Sequence, residues 1–244
     1  CTDGLPIDES PLFDPHNPFL NRDPRCTETI VAFGENWLGY EYDPHPVTGK
    51  EVMNYTTGEE VTNQDCKSNK DMASFTGLML KKWLDENSLQ NGYYGEQDII
   101  ILRYADVLLM YAEAKIEKGD IDQSVLDAIN KVRERAYNGT GLSYPPVSTT
   151  DQAKLRTILR TERRMEFACE DTRYFDLIRW RLAEVVFNRK FYGLYNYEDE
   201  NVKNFVDNGA WFWGETPQID ENGIADFSPL ETKYHINPLK ECTW

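Results

Sequence analysis

The sequence predicts a mainly α-helical fold, in which tetratricopeptide-type helical hairpins carry a loop-rich, irregular subdomain. Residues 99–137 contain two apolar helical patterns joined by a Gly-Asp turn. Residues 155–180 place many charged side chains around spaced apolar residues, which is typical of paired helices rather than of a solvated tail. Pro, Gly, Asn and Asp are frequent elsewhere, so we divide the chain into a loop-rich part (1–97), a helical part (98–187) and a loop-rich tail (188–244).

The first 97 residues have few helical signals. Thr57-Gly58 and two Pro-containing segments, residues 14–18 and 43–46, are turn signals. Residues 27–33 are apolar and β-branched enough to predict one short strand. A further helical turn is predicted over residues 78–85, so this part consists mostly of loops.

Residues 99–137 give the clearest structural prediction. Residues 99–118 are apolar on most of the helix circumference, so this helix should pack on two sides. Gly119 ends it and Asp120 caps a second helix. Together they form a tetratricopeptide-like hairpin. One such hairpin cannot bury both of its faces alone, and we find no second copy in the sequence.

Two further helices are predicted over residues 151–169 and 174–187, and the charges between them suggest an ion-pair clasp that joins helices. Buried charges need partners. A competing interpretation makes Asp106 and Glu113, seven residues apart on one helix face, the acid and base of a glycosidase. We favour the structural interpretation, because nothing positions a second carboxylate across a cleft. The predicted clasp comprises Arg103, Asp106, Glu113, Glu162, Arg163 and Arg164.

Composition excludes several classes of protein. The formal net charge of −16 opposes binding to nucleic acid or to anionic lipid, whereas a neutral ligand such as a sugar is compatible with it. The five cysteines have no zinc-ligand spacing, so we expect free thiols, and the three histidines lack a Cys or Ser partner. Gly-x-Ser-x-Gly, P-loop and Gly-x-Gly-x-x-Gly motifs are absent. We therefore expect no catalytic residues, no metal and no cofactor.

Loop aromatics are the candidate ligand-binding residues. Trp37, Tyr40 and Tyr42 alternate in one loop segment, and Trp211 and Trp213 alternate in another, so the rings of each set would share a face in an extended chain. Flat rings on a surface stack on sugar rings or fill interfaces. The alternative is that these rings form a local core beneath long loops, since Trp is mostly buried in proteins.

Several segments resemble one known family. Thr161-Glu-Arg-Arg-Met-Glu-Phe167 and its continuation through residues 173–180 resemble the SusD/RagB family of Bacteroidetes outer-membrane lipoproteins. Residues 102–114 and 128–136 resemble the same family closely. Residues 21–25 and 237–244 are similar to its C-terminal region and its terminal ending. These motifs cover nearly the whole chain in the right order.

The resemblance implies a nutrient-binding protein without catalytic activity. Its ligand would be a glycan or oligosaccharide, and it would act as a lid on a SusC-like TonB-dependent transporter. It implies a surface-exposed position at the cell outer membrane. A helical-repeat module that binds protein or peptide, with non-glycan cargo, is the competing function. Because the family's ring positions follow no fixed motif, the five aromatic candidates rest on the loop pattern alone.

Two departures from the family lead to further expectations. Family members are longer, so we expect the N-terminal half, with its signal peptide, lipid-bearing cysteine and further helical repeats, to be missing. Cys1 would then be an interior cysteine, and residues 1–20 themselves contain no signal-peptide pattern. The family's Pro-Ile-Pro stretch is also not visible, which suggests a shortened tail. Without neighbouring repeats, the apolar flank of residues 99–110 would be exposed, so we expect the chain to associate.

Overall fold

The computed structural model describes residues 1–187 except 8, 15–16, 45–47, 67–68, 71–72, 75–76, 86–97 and 99, together with the backbone of three short strands after residue 191. The predicted mainly α-helical class is confirmed. The helices are α1 (Arg25–Thr29), α2 (Tyr104–Lys118), α3 (Gln123–Tyr137), α4 (Gln152–Glu166), α5 (Thr172–Arg179) and α6 (Ala183–Phe187). The strands are β1 (Asn36–Trp37), β2 (Tyr40–Glu41), β3 (Glu51–Asn54), β4 (Glu59–Thr62), β5 (Tyr192–Leu194), β6 (Gln218–Ile219) and β7 (Ile224–Asp226).

The chain forms two compact units, each built from two separate segments. Cys1–Thr29 and Lys81–Arg173 form the helical unit, and Ile30–Leu80 and Tyr174–Trp244 form the sheet unit. Our division at residues 97 and 187 follows composition, whereas each unit combines segments from more than one of those parts.

The core of the helical unit lies between α2, α3 and α4, and the predicted hairpin is confirmed. Helix α2 ends at Gly119, whose φ of +77° turns the chain so that the N–H of Asp120 donates back to the Lys115 carbonyl at 3.0 Å. Helix α3 begins after Asp122, whose side chain accepts the N–H of Ser124 at 3.0 Å. The buried apolar residues of this core are Leu109, Ala112, Ile116, Val125, Leu126, Ala128, Ile129, Val132, Val147, Leu155, Leu159 and Phe167.

Some predicted ends of these helices are wrong. Helix α2 starts at Tyr104 rather than near residue 99. The cap of α3 is Asp122 and not Asp120, because the N–H of Asp120 already donates to the Lys115 carbonyl as part of the end of α2. The start of helix α4 agrees with the prediction, since Asp151 is its cap, but the helix ends at Glu166 rather than at residue 169.

The predicted strand over residues 27–33 is wrong for its first half, which is helix α1. Asp23 accepts the N–H of Arg25 at 3.0 Å and begins the helix, and Pro24 suits a first turn because it has no N–H to satisfy. Only Ile30 forms a strand-like bridge, with Leu80. Leu80 lies within the helical turn predicted over residues 78–85, so the prediction is wrong at that position. A single turn follows, in which Leu84 N–H donates to the Lys81 carbonyl at 3.1 Å.

The helix predicted over residues 174–187 is two helices, α5 and α6. The break has the hydrogen bonds of a Schellman motif, in which Leu182 N–H donates to the Leu177 carbonyl and Arg181 N–H to the Ile178 carbonyl. Arg181 has a φ of +54°, a conformation that usually calls for glycine. No residue type in the sequence signals this end.

The sheet unit contains an antiparallel sheet in the order β1-β2-β3-β4 and a second sheet in the order β5-β7-β6. Leu38 and Gly39 form the two-residue turn between β1 and β2, and both have positive φ, as in a type I′ hairpin turn. Within the described ranges, no helix is both long and apolar enough to cross a membrane.

Candidate functional site

Two of the predicted ligand-binding aromatics belong to the core of the sheet unit. Trp37 and Tyr42 are 6% and 2% exposed and pack with Val31. The reason is the turn at Leu38 and Gly39, which folds β1 back on β2 and pairs Trp37 with Tyr40 across the hairpin. The alternating rings therefore do not line one extended strand. For these two residues the structure matches the local-core alternative.

The Tyr42 hydroxyl is part of this core. It donates a hydrogen bond to the Gly77 carbonyl at 3.0 Å, so its burial leaves no unmet polar group. Burial raises the pKa of Tyr42, and the negative charges of Asp65 and Asp43 raise it further. Tyr42 therefore holds the loop at Gly77 in place and is not available to a ligand.

Tyr40 is exposed, and a second exposed tyrosine follows the neighbouring strand. Tyr40 pairs with Asn54 in the sheet, and Tyr55, the next residue, donates its N–H to the Gly39 carbonyl at 2.8 Å. Both tyrosines are 48% exposed. We call Tyr40 and Tyr55 the tyrosine pair. Aromatic rings half in solvent on a fixed backbone are able to stack on a flat, polar ligand such as a sugar.

Tyr55 is the candidate that sequence analysis missed. It lies in a turn formed by Asn54, whose side-chain oxygen accepts the N–H groups of Thr56 at 2.9 Å and Thr57 at 3.3 Å. The Asn54 to Gly58 segment shows this turn in the sequence, but only the pairing of β2 with β3 brings Tyr55 next to the β1–β2 hairpin. Trp211 and Trp213 lie outside the described residues.

The connection between β2 and β3 is fixed by one buried amide. Asn63 donates to the carbonyls of Asp43 at 2.5 Å and Gly49 at 2.6 Å. Position 49 must be glycine, because a Cβ there would lie 2.6 Å from the Asp43 carbonyl oxygen. The strands that carry the tyrosine pair are therefore held by contacts within the unit.

The helical unit contains a charge cluster around the carboxylates of α4, which includes Glu162 of the predicted clasp. Glu162 on α4 is fully buried, and its two oxygens accept hydrogen bonds from Arg25 Nη1 and Arg133 Nε, each at 2.7 Å. Asp23 binds Arg25 from the other side, through two hydrogen bonds of 2.8 Å. A buried carboxylate needs such partners to replace its lost hydration. Glu162 thus joins three segments that are distant in the sequence.

Glu166, one turn further along α4, accepts hydrogen bonds from three arginines. Arg103 Nη1 donates at 2.8 Å, Arg25 Nη1 lies at 3.0 Å, and Arg135 Nη2 also donates to this carboxylate. Burial acts to raise the pKa of Glu166, but the hydrogen bond from Arg103 and the charges of Arg135 and Arg25 outweigh it, so the pKa is lowered. This carboxylate stays ionised, which is the opposite of what a general acid requires.

Arg103 also binds Glu170, with Nε at 2.9 Å and Nη2 at 2.8 Å, and Lys82 joins the same carboxylate at 2.6 Å. Lys82 donates in addition to the backbone carbonyls of Glu166 and Ala168. These carbonyls lie at and just beyond the end of α4, where cations interact favourably with the helix dipole.

Asp106 is an ion-pair partner and not a free acid. Arg163 Nη1 lies 2.7 Å from its Oδ1, and Glu113 is half-buried on the same helix. Arg164, in contrast, is exposed. The cations that hold Glu162 and Glu166 also include Arg25 on α1 and Arg133 and Arg135 on α3, which the predicted clasp does not contain. In the part of the chain that the structure describes, His, Cys, Asp and Glu form no group of three that could hold a metal ion.

Comparison with known proteins identifies the fold and the family. The sequence profile described as the SusD family matches residues 3–210. The chain is 37% identical to SusD-like protein P2 of Formosa agariphila over 100 residues, or 40% of this chain and 20% of that protein. It is 30% identical to a SusD-like protein of Bacteroides ovatus over 136 residues, or 54% of this chain and 20% of that protein.

Among solved structures, the chain resembles a SusD-like carbohydrate binding protein from Bacteroides fragilis. The TM-score is 0.62 at 31% identity, and the match covers 92% of this chain and 40% of that chain. The chain therefore spans well under two thirds of the length of these relatives. Because the family profile matches most of its residues, the chain belongs to the SusD family.

Proposed function

We propose that this chain is part of a protein that binds an extracellular glycan or oligosaccharide at the cell surface. The observation that carries the proposal is the structural match to a SusD-like carbohydrate binding protein over 92% of the chain. The net charge of −16 supports a neutral ligand over a phosphate-rich one. The tyrosine pair provides exposed rings of the kind that stack on sugars.

The protein delivers its cargo to a SusC-like TonB-dependent transporter in the outer membrane, where a lipid anchor outside these residues holds it on the cell surface. Family membership supports this part of the proposal. Co-purification of the complete gene product with such a transporter from native outer membranes tests it. Recovery of the protein in a soluble fraction without any transporter would contradict it.

Binding occurs without turnover of the ligand. The ion pairs support this, because Glu162, Glu166 and Asp106 are each held by arginine. Incubation of the complete gene product with the glycans that it binds should leave their chain lengths unchanged. Shortened products that disappear when one Asp or Glu is replaced would instead establish a glycosidase.

The glycan proposal is tested by screening the complete gene product against neutral oligosaccharides and then measuring affinity by calorimetry. Tyr40→Ala and Tyr55→Ala should each weaken binding by roughly tenfold, about 1.4 kcal/mol, if each ring stacks on one sugar. Tyr174→Ala is the matched control, since Tyr174 is 51% exposed in the same unit but lies on α5. Trp37→Ala is unsuitable, because removing a buried ring disrupts the core.

Three results separate the proposals. Weaker binding in both tyrosine variants, with the control unchanged, supports the tyrosine pair as a sugar contact. Unchanged affinity in both variants rejects this position for the site but leaves glycan binding standing. Capture of a peptide ligand with no sugar binding by any member of the panel would reject glycan binding and favour the protein- or peptide-binding alternative.

A further inference from the structure

Two half-buried thiols of the helical unit, Cys1 and Cys26, lie in segments that a hydrogen bond joins. Among the described cysteines, Cys169 belongs to the same unit but is exposed, and Cys66 is buried in the sheet unit. Disulfides form and persist outside the cytosol, whereas cytosolic thiols stay reduced. Two thiols that lie close together in a cell-surface protein are therefore candidates for a disulfide bond.

Cys1 belongs to a tight turn that is fixed beside the segment leading into α1. The N–H of Gly4 donates to the Cys1 carbonyl at 3.0 Å and closes the turn. The N–H of Thr2 donates to the Asn21 carbonyl at 2.8 Å. This bond joins the residue after Cys1 to the segment that leads directly to Cys26, so the backbone itself brings the two cysteines into one region.

Cys26 is the second residue of α1, and its N–H donates to the Asp23 carbonyl at 2.8 Å. The two cysteines share charged neighbours and act on each other. Burial and Arg22 lower the pKa of the Cys1 amino group, whereas Asp23 and Cys26 raise it. Burial and Asp23 raise the pKa of the Cys26 thiol, whereas Arg22 and the Cys1 amino group lower it. Since the energy between charges falls with distance, this mutual effect agrees with the closeness that the hydrogen bonds indicate.

We propose that Cys1 and Cys26 form a disulfide bond once the protein has left the cytosol, which ties the start of this chain to α1. The inference rests on the proposed position at the cell surface. The oxidant is a disulfide-containing molecule or protein. One cysteine, as the thiolate, attacks a sulfur of that disulfide and releases a thiol. The other then attacks the mixed disulfide, so that two protons and two electrons leave the pair, one S–S bond forms and the oxidant becomes two thiols.

The bond would support the charge cluster of the helical unit. Arg25 directly precedes Cys26 and donates to Glu162 and Glu166. A bond at Cys26 would hold this end of α1 against the turn that contains Cys1. Closing a loop of this length also removes conformations from the unfolded chain, an effect that lowers the unfolding equilibrium constant by roughly a hundredfold.

Peptide mass spectrometry of the complete gene product tests the bond directly. The protein is incubated with oxidised glutathione, its remaining thiols are alkylated, and it is digested with trypsin without reduction. Trypsin cleaves after Arg22, Arg25 and Lys50, so the bond should join the peptide that contains Cys1 to the peptide of residues 26–50. Full alkylation of both cysteines would overturn the proposal. So would a bond from either one to Cys169, or to glutathione alone.

Thermal melting with and without dithiothreitol gives a second measurement. The reductant should lower the melting temperature of the complete gene product by several degrees. It should have no effect on Cys1→Ser or on Cys26→Ser, because either substitution removes the bond. Cys169→Ser is the matched control and should stay sensitive. The same response in all four proteins would overturn the proposal. Neither measurement involves a glycan or a transporter, so failure of the disulfide is distinguishable from failure of the proposed function.

Discussion

Adjacent arginines on α4 have opposite roles. Arg163 is buried, pairs with Asp106 at 2.7 Å, and lies 5.0 Å from the centre of the Phe167 ring, whereas Arg164 is exposed. We predict that Arg163→Met lowers the free energy of unfolding by roughly 2–4 kcal/mol, because it leaves a partly buried carboxylate without its cation. Arg164→Met should change it by less than about 0.5 kcal/mol. Urea denaturation of the two variants measures both values.

Equal losses in the two variants would contradict this assignment. The comparison is well matched, since the two substitutions are the same, neighbouring and on one helix. It also separates loss of a buried ion pair from a general effect of removing positive charge from a chain of net charge −16.

The charge cluster shows what residue spacing can and cannot predict. Glu162, Arg163 and Arg103 were expected to pair, because charges set among apolar positions of a helix face the core. Arg25 could not be predicted as a partner of Glu162, since the two are 137 positions apart and no local pattern relates them. Arg164 lies about 100° round α4 from Arg163 and is exposed, whereas Glu162 and Arg163 are both buried, and spacing alone did not show on which side of these two residues the buried face ends.

At the scale of the helix, the α2–α3 connection depends on one glycine. Gly119 has a φ of +77° at the end of α2. We predict that Gly119→Asn is mild and that Gly119→Val lowers the free energy of unfolding by roughly 1–2 kcal/mol, because a β-branched residue is strained in the left-handed region. Among the residues that the structure describes, the only atom near a Cβ added here is Gln152 Nε2, at an ordinary contact distance of 3.9 Å. Thermal melting of both variants measures the difference.

If the Gly119→Val and Gly119→Asn variants have the same melting temperature, backbone strain is not the reason for glycine at this position. The α2–α3 connection could be predicted because the glycine, the acidic residue after it and the apolar periodicity on both sides all indicate a turn between two helices. The break between α5 and α6 could not, because Arg181 adopts a positive φ that only the surrounding packing imposes. Helix α1 was missed for a related reason: five residues are too few to show a helical period.

The α4 carboxylates make the stability of the helical unit depend on pH. Arginines hold the pKa of Glu166 below its usual value near 4.5, so the folded state is stabilised by ionised Glu166 above that value. This stabilisation is lost as the pH falls below about 4.5 and through the lowered pKa. We predict that Glu166→Gln costs roughly 3–5 kcal/mol at pH 7, because three arginines each lose one negatively charged partner, and that the deficit shrinks from pH 5 to pH 3.

Denaturation at a series of pH values measures that deficit, with Glu117→Gln as the control. Glu117 pairs with Arg156 at 2.6 Å, but this pair is on the surface and half-exposed, so water screens it and its loss should cost little. A deficit for Glu166→Gln that stays constant down to pH 3 would show that shape, rather than charge, makes this residue necessary.

For the whole molecule, net charge and exposed apolar surface act in opposite directions. A net charge of −16 keeps copies of the chain apart. Tyr104, Val107, Met110 and Tyr111 are exposed on α2 and form what we call its outer face, through which two copies can make contact, and Phe175 on α5 is also 66% exposed. The sequence predicted the exposed apolar flank of α2, but which of its residues stay exposed depends on how α3 and α4 pack.

We predict that the 244-residue chain by itself associates, and does so more strongly as salt is added. Raising the salt from 0.01 M to 1 M shortens the screening length from about 30 Å to about 3 Å, which weakens charge repulsion while contacts between apolar surfaces remain. Sedimentation velocity at several salt concentrations measures the shift from monomer to larger species. Val107→Lys should reduce it and Asp127→Lys should not, because only the first changes the outer face. A monodisperse monomer at every salt concentration would show that the exposed stripe is too small to hold two copies together.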